Sequence, residues 1–258
     1  MKQVIISLLT FGLVISLFGD DIPLEYRMQE GVTLCLDFDK SSVTASRATG
    51  DNQSLKTPNG ILYEAGIKGK ALKTEETGIY LSFKLKDNLS FEKPGSVSIW
   101  IKPLKWKYPQ DMPILKDEHR ERIYYLFFAT DYQKKGYLGF QRVTSWRVGG
   151  NDSLRSWFSG FEGISANGSK EIIWADGQWH NAVMTWDPLE FKIYIDGELQ
   201  ITTIVQRKIK DDEIAKSFCV ACPPNTMIDE FVIYNRLLTA EEIKKYYEYL
   251  NPKPSDIK

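Results

Sequence analysis

The chain has 258 residues, of which 43% are hydrophobic and 26% are charged, proportions that are ordinary for a globular protein. They exclude a disordered chain, a collagen-like fibre and a coiled coil. Lysine and arginine number 33 against 34 aspartate and glutamate, so the chain lacks the basic excess that gathers nucleic acid. Aromatic residues make up 13% of the chain, which favours β-structure because strands accommodate aromatic side chains well.

Residues 1–19 have the pattern of a secretory signal peptide. Lys2 precedes an almost unbroken apolar run without charge from Val4 to Phe18, and Gly19 and Asp20 end the run. The run is shorter than the about 20 apolar residues that a transmembrane helix needs, and a basic start before such a run is typical of export signals. An uncleaved N-terminal anchor is the alternative. We expect a secreted, periplasmic or extracellular protein with no membrane insertion after cleavage.

Short strand patterns dominate the chain beyond Leu24. Asp196-Gly197 lies between two alternating runs and predicts a β-hairpin, because glycine tolerates the positive φ that a type I′ turn needs. Many short strands with glycine-rich turns are typical of an all-β sandwich or barrel. The predicted strands cover residues 32–38, 60–65, 71–74, 79–83, 96–101, 122–129, 137–142, 179–186, 191–195, 198–202 and 227–234.

One helix is predicted near the C-terminus. Thr239 can cap it, and Glu242, three residues further on, can complete a capping box. Ile243, Tyr246 and Tyr247 then fall on one helical face. Residues 251–258 contain two prolines and are predicted to form a frayed tail, which leaves residues 24–250 as one domain.

Three pairs of motifs resemble the laminin-G-like jelly-roll family of the concanavalin A-like lectin/glucanase group. In chain order they occupy residues 66–72 with 96–103, 176–187 with 191–198, and 228–236 with 238–243. Asn181 stands where the family commonly has a second histidine. The resemblance implies an all-β fold, a two-sheet antiparallel jelly-roll sandwich with a short C-terminal helix. It also implies that the first and last strands lie side by side.

The chain has three cysteines, Cys35, Cys219 and Cys222. An exported protein can form disulfides, and an odd count leaves one thiol over or pairs it between chains. The Cys219-x-x-Cys222 spacing lacks the surrounding βαβ pattern of a redox motif, and a zinc site would need more ligands. The strand arrangement that the resemblance implies brings Cys35 near the 219–222 segment, which predicts a bridge from Cys35 to one of that pair.

The sequence lacks the catalytic motif of glucanases with this fold. Glucanases of this fold carry paired carboxylates along one strand, because retaining hydrolysis needs an acid and a nucleophile about 5 Å apart. The nearest pattern, Asp117 to Glu121, contains and is followed by arginine and is interpreted as a charged turn between strands. The alternative is an extended segment in which Asp117, His119 and Glu121 share one face and hold an acid/base pair or part of a metal site. We therefore predict a non-catalytic protein.

Aromatic residues outside the family motifs are candidates for a sugar platform. They lie in two segments predicted as loops, residues 102–118 and 143–170, where exposed rings beside polar groups would bind a glycan. The alternative is that these rings pack their own loops onto the sandwich. The candidate ligand-binding residues are Trp106, Tyr108, Trp146 and Trp157, with Arg142 and Arg147.

The resemblance also implies a structural calcium ion. It maps an aspartate of the last strand onto Asp229, and Asp37 and Asp39, predicted to share a face of the first strand, are the natural partners. Calcium prefers several oxygen ligands, including carboxylates. The alternative is that Asp229 accepts hydrogen bonds from the backbone.

Taken together, these features predict a secreted binding module without catalytic activity, whose ligand is a glycan at a cell surface or in a matrix. A protein-interaction or scaffold module with a surface protein as its partner is the first alternative. A glycan-active hydrolase or lyase is the second. Fold alone does not establish which of the three functions holds.

Overall fold

The computed structural model describes residues 30–104, 122–131, 137–144, 152–159, 166–171, 176–187, 189–204 and 207–251. The predicted signal peptide, the acidic segment 117–121 and the tail beyond Asn251 lie outside these residues. The described strands form two antiparallel sheets, so the predicted all-β sandwich is confirmed.

The larger sheet, sheet A, has nine strands. Seven follow the order β13-β12-β11-β6-β15-β1-β2, and β4 joins β15 to the outlying β3. Their bounds are β1 Val32–Leu36, β2 Arg47–Ala48, β3 Leu62–Ala65, β4 Lys70–Thr74, β6 Gly95–Pro103, β11 His180–Trp186, β12 Glu190–Ile195, β13 Glu198–Ile204 and β15 Thr226–Tyr234.

The second sheet, sheet B, has six strands in the order β10-β9-β8-β7-β14-β5. A short 3₁₀ helix, Asp211–Glu213, precedes β14. The strand bounds are β5 Ile79–Lys84, β7 Arg122–Asp131, β8 Tyr137–Thr144, β9 Asp152–Ser159, β10 Ala166–Glu171 and β14 Ile214–Cys222.

The alternation of side chains sets which face of each strand meets the core. In β5, Ile79, Leu81 and Phe83 are buried, whereas Tyr80 between them is exposed. Successive side chains of a strand point to opposite faces, so the apolar members of both sheets meet in one core between them. That core includes Phe83 of sheet B and Phe231 of sheet A.

The first and last strands lie side by side, as the resemblance implies. β1 pairs antiparallel with β15, and Cys35 lies opposite Val232. β6 flanks β15 on its other side, where the register shifts between Asp229 and Val232. β15 is therefore a central strand of sheet A, and all nine of its residues are buried.

The Asp196-Gly197 hairpin is confirmed. The turn joins β12 to β13 with positive φ at both residues, 52° and 82°. The Nδ1 of His180 lies 2.7 Å from Asp196 Oδ2, and Asp196 Oδ1 accepts the Asn181 N–H at 2.9 Å. The turn is therefore tied to β11 through side chains as well as through the strand ladder.

The C-terminal helix is also confirmed and is named α1, Ala240–Leu250. Its capping box is present, because Thr239 accepts the Glu242 N–H while the Glu242 side chain accepts the Thr239 N–H. The helix covers the outer face of sheet A, where Tyr247 stacks on Trp100 at 5.8 Å between ring centroids. Ile243 and Tyr246 are buried there.

The prediction that residues 143–170 form a loop is wrong. This segment contains β9 and β10, and β14 was also missed by the sequence analysis. The sequence of β9 is rich in serine and charge, and that of β10 contains Asn167-Gly168-Ser169, a composition typical of turns. Pairing with neighbouring strands holds both segments extended despite their weak local preference.

Candidate functional site

The outer face of sheet B carries an exposed aromatic ring. Tyr80 on the edge strand β5 has a side chain that is 51% exposed, and its strand neighbours Ile79 and Leu81 are in the core. Across the ladder it lies opposite Ala221 of β14. At this edge of the sheet, the face opposite the core therefore carries the Tyr80 ring next to the small residue Ala221.

One row of paired residues crosses the whole of sheet B. Cys219 of β14 pairs with Ser82 of β5 and with Phe128 of β7. Phe128 pairs with Gly139 of β8, which pairs with Trp157 of β9. The row ends at Asn167 of β10, the partner of Trp157.

The row alternates with the core positions of the same strands. Phe218 and Val220 flank Cys219 and are fully buried in the core, as are Phe127 and Ala129, which flank Phe128. Cys219 is half-buried. The row shared by Ser82, Cys219 and Trp157 is thus one residue out of step with the core-facing rows.

The structure separates two of the predicted sugar-binding residues. Trp157 is a strand residue opposite Gly139, so its predicted place in a loop is wrong. Arg142 lies on β8 opposite Leu154. It is three positions along β8 from Gly139, and a period of two places Arg142 and Trp157 in rows of opposite parity.

The other predicted sugar-binding residues lie outside the described residues, namely Trp106, Tyr108, Trp146 and Arg147. The strand ends that flank them are described. Arg122, where β7 begins after the 105–121 segment, pairs with Thr144, which pairs with Asp152. Arg122, Thr144 and Asp152 therefore lie in one row at one end of sheet B.

The predicted calcium ligands lie around the turn formed by residues 66–69. Asp229 Oδ2 accepts the Lys68 N–H at 3.3 Å, and Asp39 Oδ1 accepts the Lys70 N–H at 2.8 Å. A Cβ added at Gly66 would overlap the Asp229 carboxylate, and one at Gly69 would overlap that of Asp39. The two glycines of the motif thus allow the turn to pack against both carboxylates.

The placement of Asp37 and Asp39 on the first strand is wrong. β1 ends at Leu36, and the chain turns at Phe38, whose φ is 55°. Asp37 Oδ1 accepts the N–H of Asp39 at 3.2 Å. The two carboxylates therefore belong to a turn beyond the strand, and the alternation of a strand does not apply to them.

Burial and mutual repulsion perturb the carboxyl groups of β15. Burial, with the neighbouring Glu230, raises the pKa of Asp229 to about 8. Burial likewise raises the pKa of Glu230 to about 7, with Lys68 opposing and Asp37 and Asp39 adding to the rise. Glu230 occupies the register shift of β15 with φ of 45°, a left-handed conformation that is unusual for a residue with a side chain.

A cavity of about 340 Å³ opens beside this acidic cluster, between β1, β15 and the end of α1. Carboxylates and cations both line it, with tyrosines from the helix. Its lining includes Asp37, Asp39, Arg47, Lys68, Glu230 and Tyr249.

The cluster offers carboxylate oxygens, which suit calcium, but these carboxylates are not arranged as a complete coordination site. Within the described part of the chain, no three His, Cys, Asp or Glu side chains are placed so that they could hold a metal ion. Both carboxylate oxygens of Asp229 already accept backbone N–H groups, from Lys68 and Glu230. Calcium binding therefore requires these carboxylates to move closer together, and it stays a prediction.

A larger cavity, of about 1310 Å³, lies where β5 ends and β14 begins. Lysines and acids line it in equal number, four of each. Its one aromatic lining residue, Tyr234, is only 2% exposed. The cavity therefore presents mixed charge without an aromatic platform.

The predicted disulfide is wrong. All three cysteines are free thiols. Cys35 is in β1 of sheet A and packs in the cluster on the outer side of that sheet, whereas Cys219 and Cys222 are in β14 of sheet B. Cys222 faces the core, three positions from Cys219, which belongs to the opposite alternation. The strand that pairs with β1 is β15, the last strand. Cys219 and Cys222 belong to β14, which precedes β15 in the chain but lies in the other sheet.

Sequence reasoning missed Tyr80, Asn167 and Glu230. The alternation of residues 79–83 could have found Tyr80, since the ring stands between apolar residues in a predicted strand. Finding Asn167 would have required recognising β10, and the local sequence gives no strand signal there.

Among the described residues, no helix has the length and apolar character to cross a membrane.

The comparison with family models identifies the class of protein. The model for the concanavalin A-like lectin/glucanases superfamily, Laminin_G_3, matches residues 75–244. This match covers more than half of the chain, and the chain belongs to that family. A search of the curated proteins gave no match.

Solved structures share the fold at low sequence identity. Domain 4 of an extracellular arabinanase from Geobacillus stearothermophilus, solved with arabinotriose, is 22% identical with a TM-score of 0.54, and the alignment covers 83% of this chain and 97% of that one. The botulinum neurotoxin serotype D ligand-binding domain, solved with N-acetylneuraminic acid, is 17% identical with a TM-score of 0.59. The alignment covers 85% of this chain and 51% of the toxin chain, so the match spans about half of that neighbour's length.

Proposed function

We propose that this protein is a glycan-binding module of the exported type, and that its binding surface is the outer face of sheet B. The protein contributes a flat platform and polar groups, and no bond is made or broken. The absence of a paired-carboxylate motif from the sequence supports binding rather than hydrolysis.

Two of the structural neighbours were solved with a carbohydrate. The arabinanase domain holds arabinotriose, and the serotype D toxin domain holds N-acetylneuraminic acid. Both share only the fold with this chain, and one fold hosts many functions. They support the class of ligand, and the position of the site has to be argued from this chain's own residues.

The observation that carries the proposal is the row that crosses sheet B. It places Trp157 beside Gly139, which has no side chain, and beside Asn167, which has an amide. An aromatic ring offers a sugar its apolar face, and an amide can both donate to and accept from hydroxyl groups. The exposed ring of Tyr80 two strands beyond Phe128 extends the same kind of surface.

The site is tested by binding the purified protein to a broad panel of polysaccharides and glycans, with the wild type compared with Trp157→Ala. We expect binding to at least one glycan by the wild type and its loss in the variant. Tyr249→Ala is the matched control, because Tyr249 is an exposed ring, 54%, on the helix that covers the other sheet. Equal loss in both variants, or no binding to any glycan, would overturn the proposal.

We also propose that residues 1–19 direct export and are removed. The support is the basic start and the apolar run of the sequence. N-terminal sequencing of the protein recovered from its native compartment tests this. A mature chain that begins near Asp20 in an exported fraction is the expected result, and an intact Met1 there would contradict cleavage.

A further inference from the structure

Four dipeptides in the chain join an asparagine or an aspartate to a glycine. Such a dipeptide is chemically reactive, because glycine has no side chain to hinder attack of its backbone nitrogen on the preceding side-chain carbonyl carbon. The four are Asn59-Gly60, Asn167-Gly168, Asp176-Gly177 and Asp196-Gly197. The surroundings of each dipeptide decide whether it can react in the folded protein.

Hydrogen bonds restrain the two aspartate dipeptides. The Gly177 N–H donates to the Pro103 carbonyl oxygen at 2.6 Å, so the attacking nitrogen is engaged. The Asp196 carboxylate accepts the Asn181 N–H at 2.9 Å and lies 2.7 Å from His180 Nδ1. The carbonyl group that would be attacked is therefore held by other groups.

Strand pairing restrains Asn167-Gly168. Both residues lie within β10, and both have partners on β9. Ring closure needs a rotation of the asparagine backbone that brings the next nitrogen to the side chain. Pairing opposes this rotation, because strand residues keep extended dihedral angles.

Asn59-Gly60 has none of these restraints. Both residues are exposed and lie in a bend before β3. Within the described part of the chain, no hydrogen bond engages either residue. Gly60 has φ of 78°, and a Cβ added there would meet no atom within 4 Å. The Gly60 nitrogen and the Asn59 side chain therefore have room to approach each other.

We propose that Asn59 is a site of spontaneous deamidation. The Gly60 nitrogen attacks Asn59 Cγ and forms a C–N bond, the Cγ–Nδ2 bond breaks, and ammonia leaves with the proton of the Gly60 N–H. Water then opens the resulting cyclic imide. Opening at Cγ gives aspartate, and opening at the backbone carbonyl carbon gives isoaspartate. One water is consumed and one ammonia is released overall.

The reaction changes charge and main-chain length at one edge of sheet A. Each product carries a negative charge where the asparagine was neutral, and isoaspartate adds one carbon to the main chain just before β3. Among the described strands, β3 pairs with β4 alone. The protein should therefore become a mixture of charge forms with age while it keeps its fold.

Peptide mapping by mass spectrometry, after incubation of the purified protein near pH 8, tests the inference. We expect Asn59 to deamidate at least about tenfold faster than Asn167, which corresponds to about 1.4 kcal/mol in activation free energy. In denaturant the two rates should converge, because both asparagines precede glycine. Equal rates in the folded protein, or a tenfold difference that persists in denaturant, would overturn the inference.

A conservative variant provides a second measurement. Asn59→Gln keeps an amide but would need a larger ring to cyclise, so the native protein should lose its fast phase of ammonia release. Its melting temperature should equal that of the wild type, because Asn59 is exposed. A fast phase that persists in the variant would place the reactive amide elsewhere and would contradict the inference.

Discussion

Tyr80 and Ala221 face each other across β5 and β14, one half exposed and the other buried. This pair marks the outer face of sheet B, because the residues on either side of Tyr80 point into the core. The pair lies on β5 and β14, at one edge of the proposed glycan-binding surface. It also separates that surface from the acidic cavity on sheet A.

Replacement of Tyr80 is the first test of that edge. Tyr80→Ala should reduce affinity for a bound polysaccharide by about tenfold, equivalent to about 1.4 kcal/mol, because an exposed ring that supports a sugar is lost. Since the ring is half exposed, the melting temperature should change little. Titration of the polysaccharide into both proteins measures the effect, with Tyr249→Ala as the control. Unchanged affinity in Tyr80→Ala would remove β5 from the site.

Calcium should stabilise the protein through Asp229. A ligand that binds only the folded state adds about 2.7 kcal/mol at a concentration of 100 times its Kd, so added Ca²⁺ should raise the melting temperature and a chelator should lower it. Asp229→Asn should abolish the shift, and Asp39→Asn should reduce it. Glu248→Gln, an exposed acid on α1, is the control. A melting temperature that does not respond to either calcium or chelator in the wild type would contradict the prediction.

The thiols should react in an order set by burial. Burial raises the pKa of Cys222 to about 12 and, with the nearby Glu230, raises that of Cys35 to about 12. The thiolate is the reactive form, so both should react slowly near pH 8 and faster as the pH rises. Cys219, which is half-buried, should react first.

Thiol titration with a chromogenic disulfide reagent measures these rates, and mass mapping assigns them. Denaturant without reductant should release three thiols per chain, as expected for free cysteines. Recovery of a single thiol would show that two cysteines are bridged and would contradict the structure. Fast reaction of Cys222 in the native protein would contradict its burial.

The cap of α1 should contribute measurably to stability. Thr239→Ala removes the side chain that accepts the Glu242 N–H and should cost about 1 kcal/mol in the free energy of unfolding. The loss should be visible because α1 closes over Trp100. Urea unfolding measures it, with Glu248→Ala on the same helix as the control. An equal effect of both substitutions would indicate that the cap itself contributes nothing.

The sequence predicted the parts of the fold whose local signals agree with their tertiary setting. The alternation in residues 79–83 and 96–101, the Asp196-Gly197 turn and the Thr239 cap all specify their structures within a few residues. β9 and β10 were not predicted because their polar composition resembles that of loops. Pairing with β8 holds β9 extended, and pairing with β9 holds β10 extended. β14 was not predicted as a strand at all, and its place in sheet B separates Cys219 and Cys222 from Cys35 of sheet A.

The candidate site was less accessible to sequence reasoning than the fold. Trp157 was selected as an aromatic residue outside the family motifs, but its row depends on registers that pair residues far apart in the chain. Arg142 was selected with it, and the same registers place the two in rows of opposite parity. Asp229 was selected by its motif, whereas the buried Glu230 beside it becomes notable only through its left-handed backbone and its neighbours.

The most direct test of the account is backbone amide chemical-shift mapping of the protein with its bound oligosaccharide. A glycan bound on sheet B should perturb amides that cluster there, at Tyr80, Gly139, Trp157, Asn167 and Cys219, and should leave the amide shifts of Asp39, Lys68 and Glu230 unchanged. Perturbations centred on the cavity beside the acidic cluster of sheet A, or on the mixed-charge cavity where β5 ends and β14 begins, would contradict binding on sheet B.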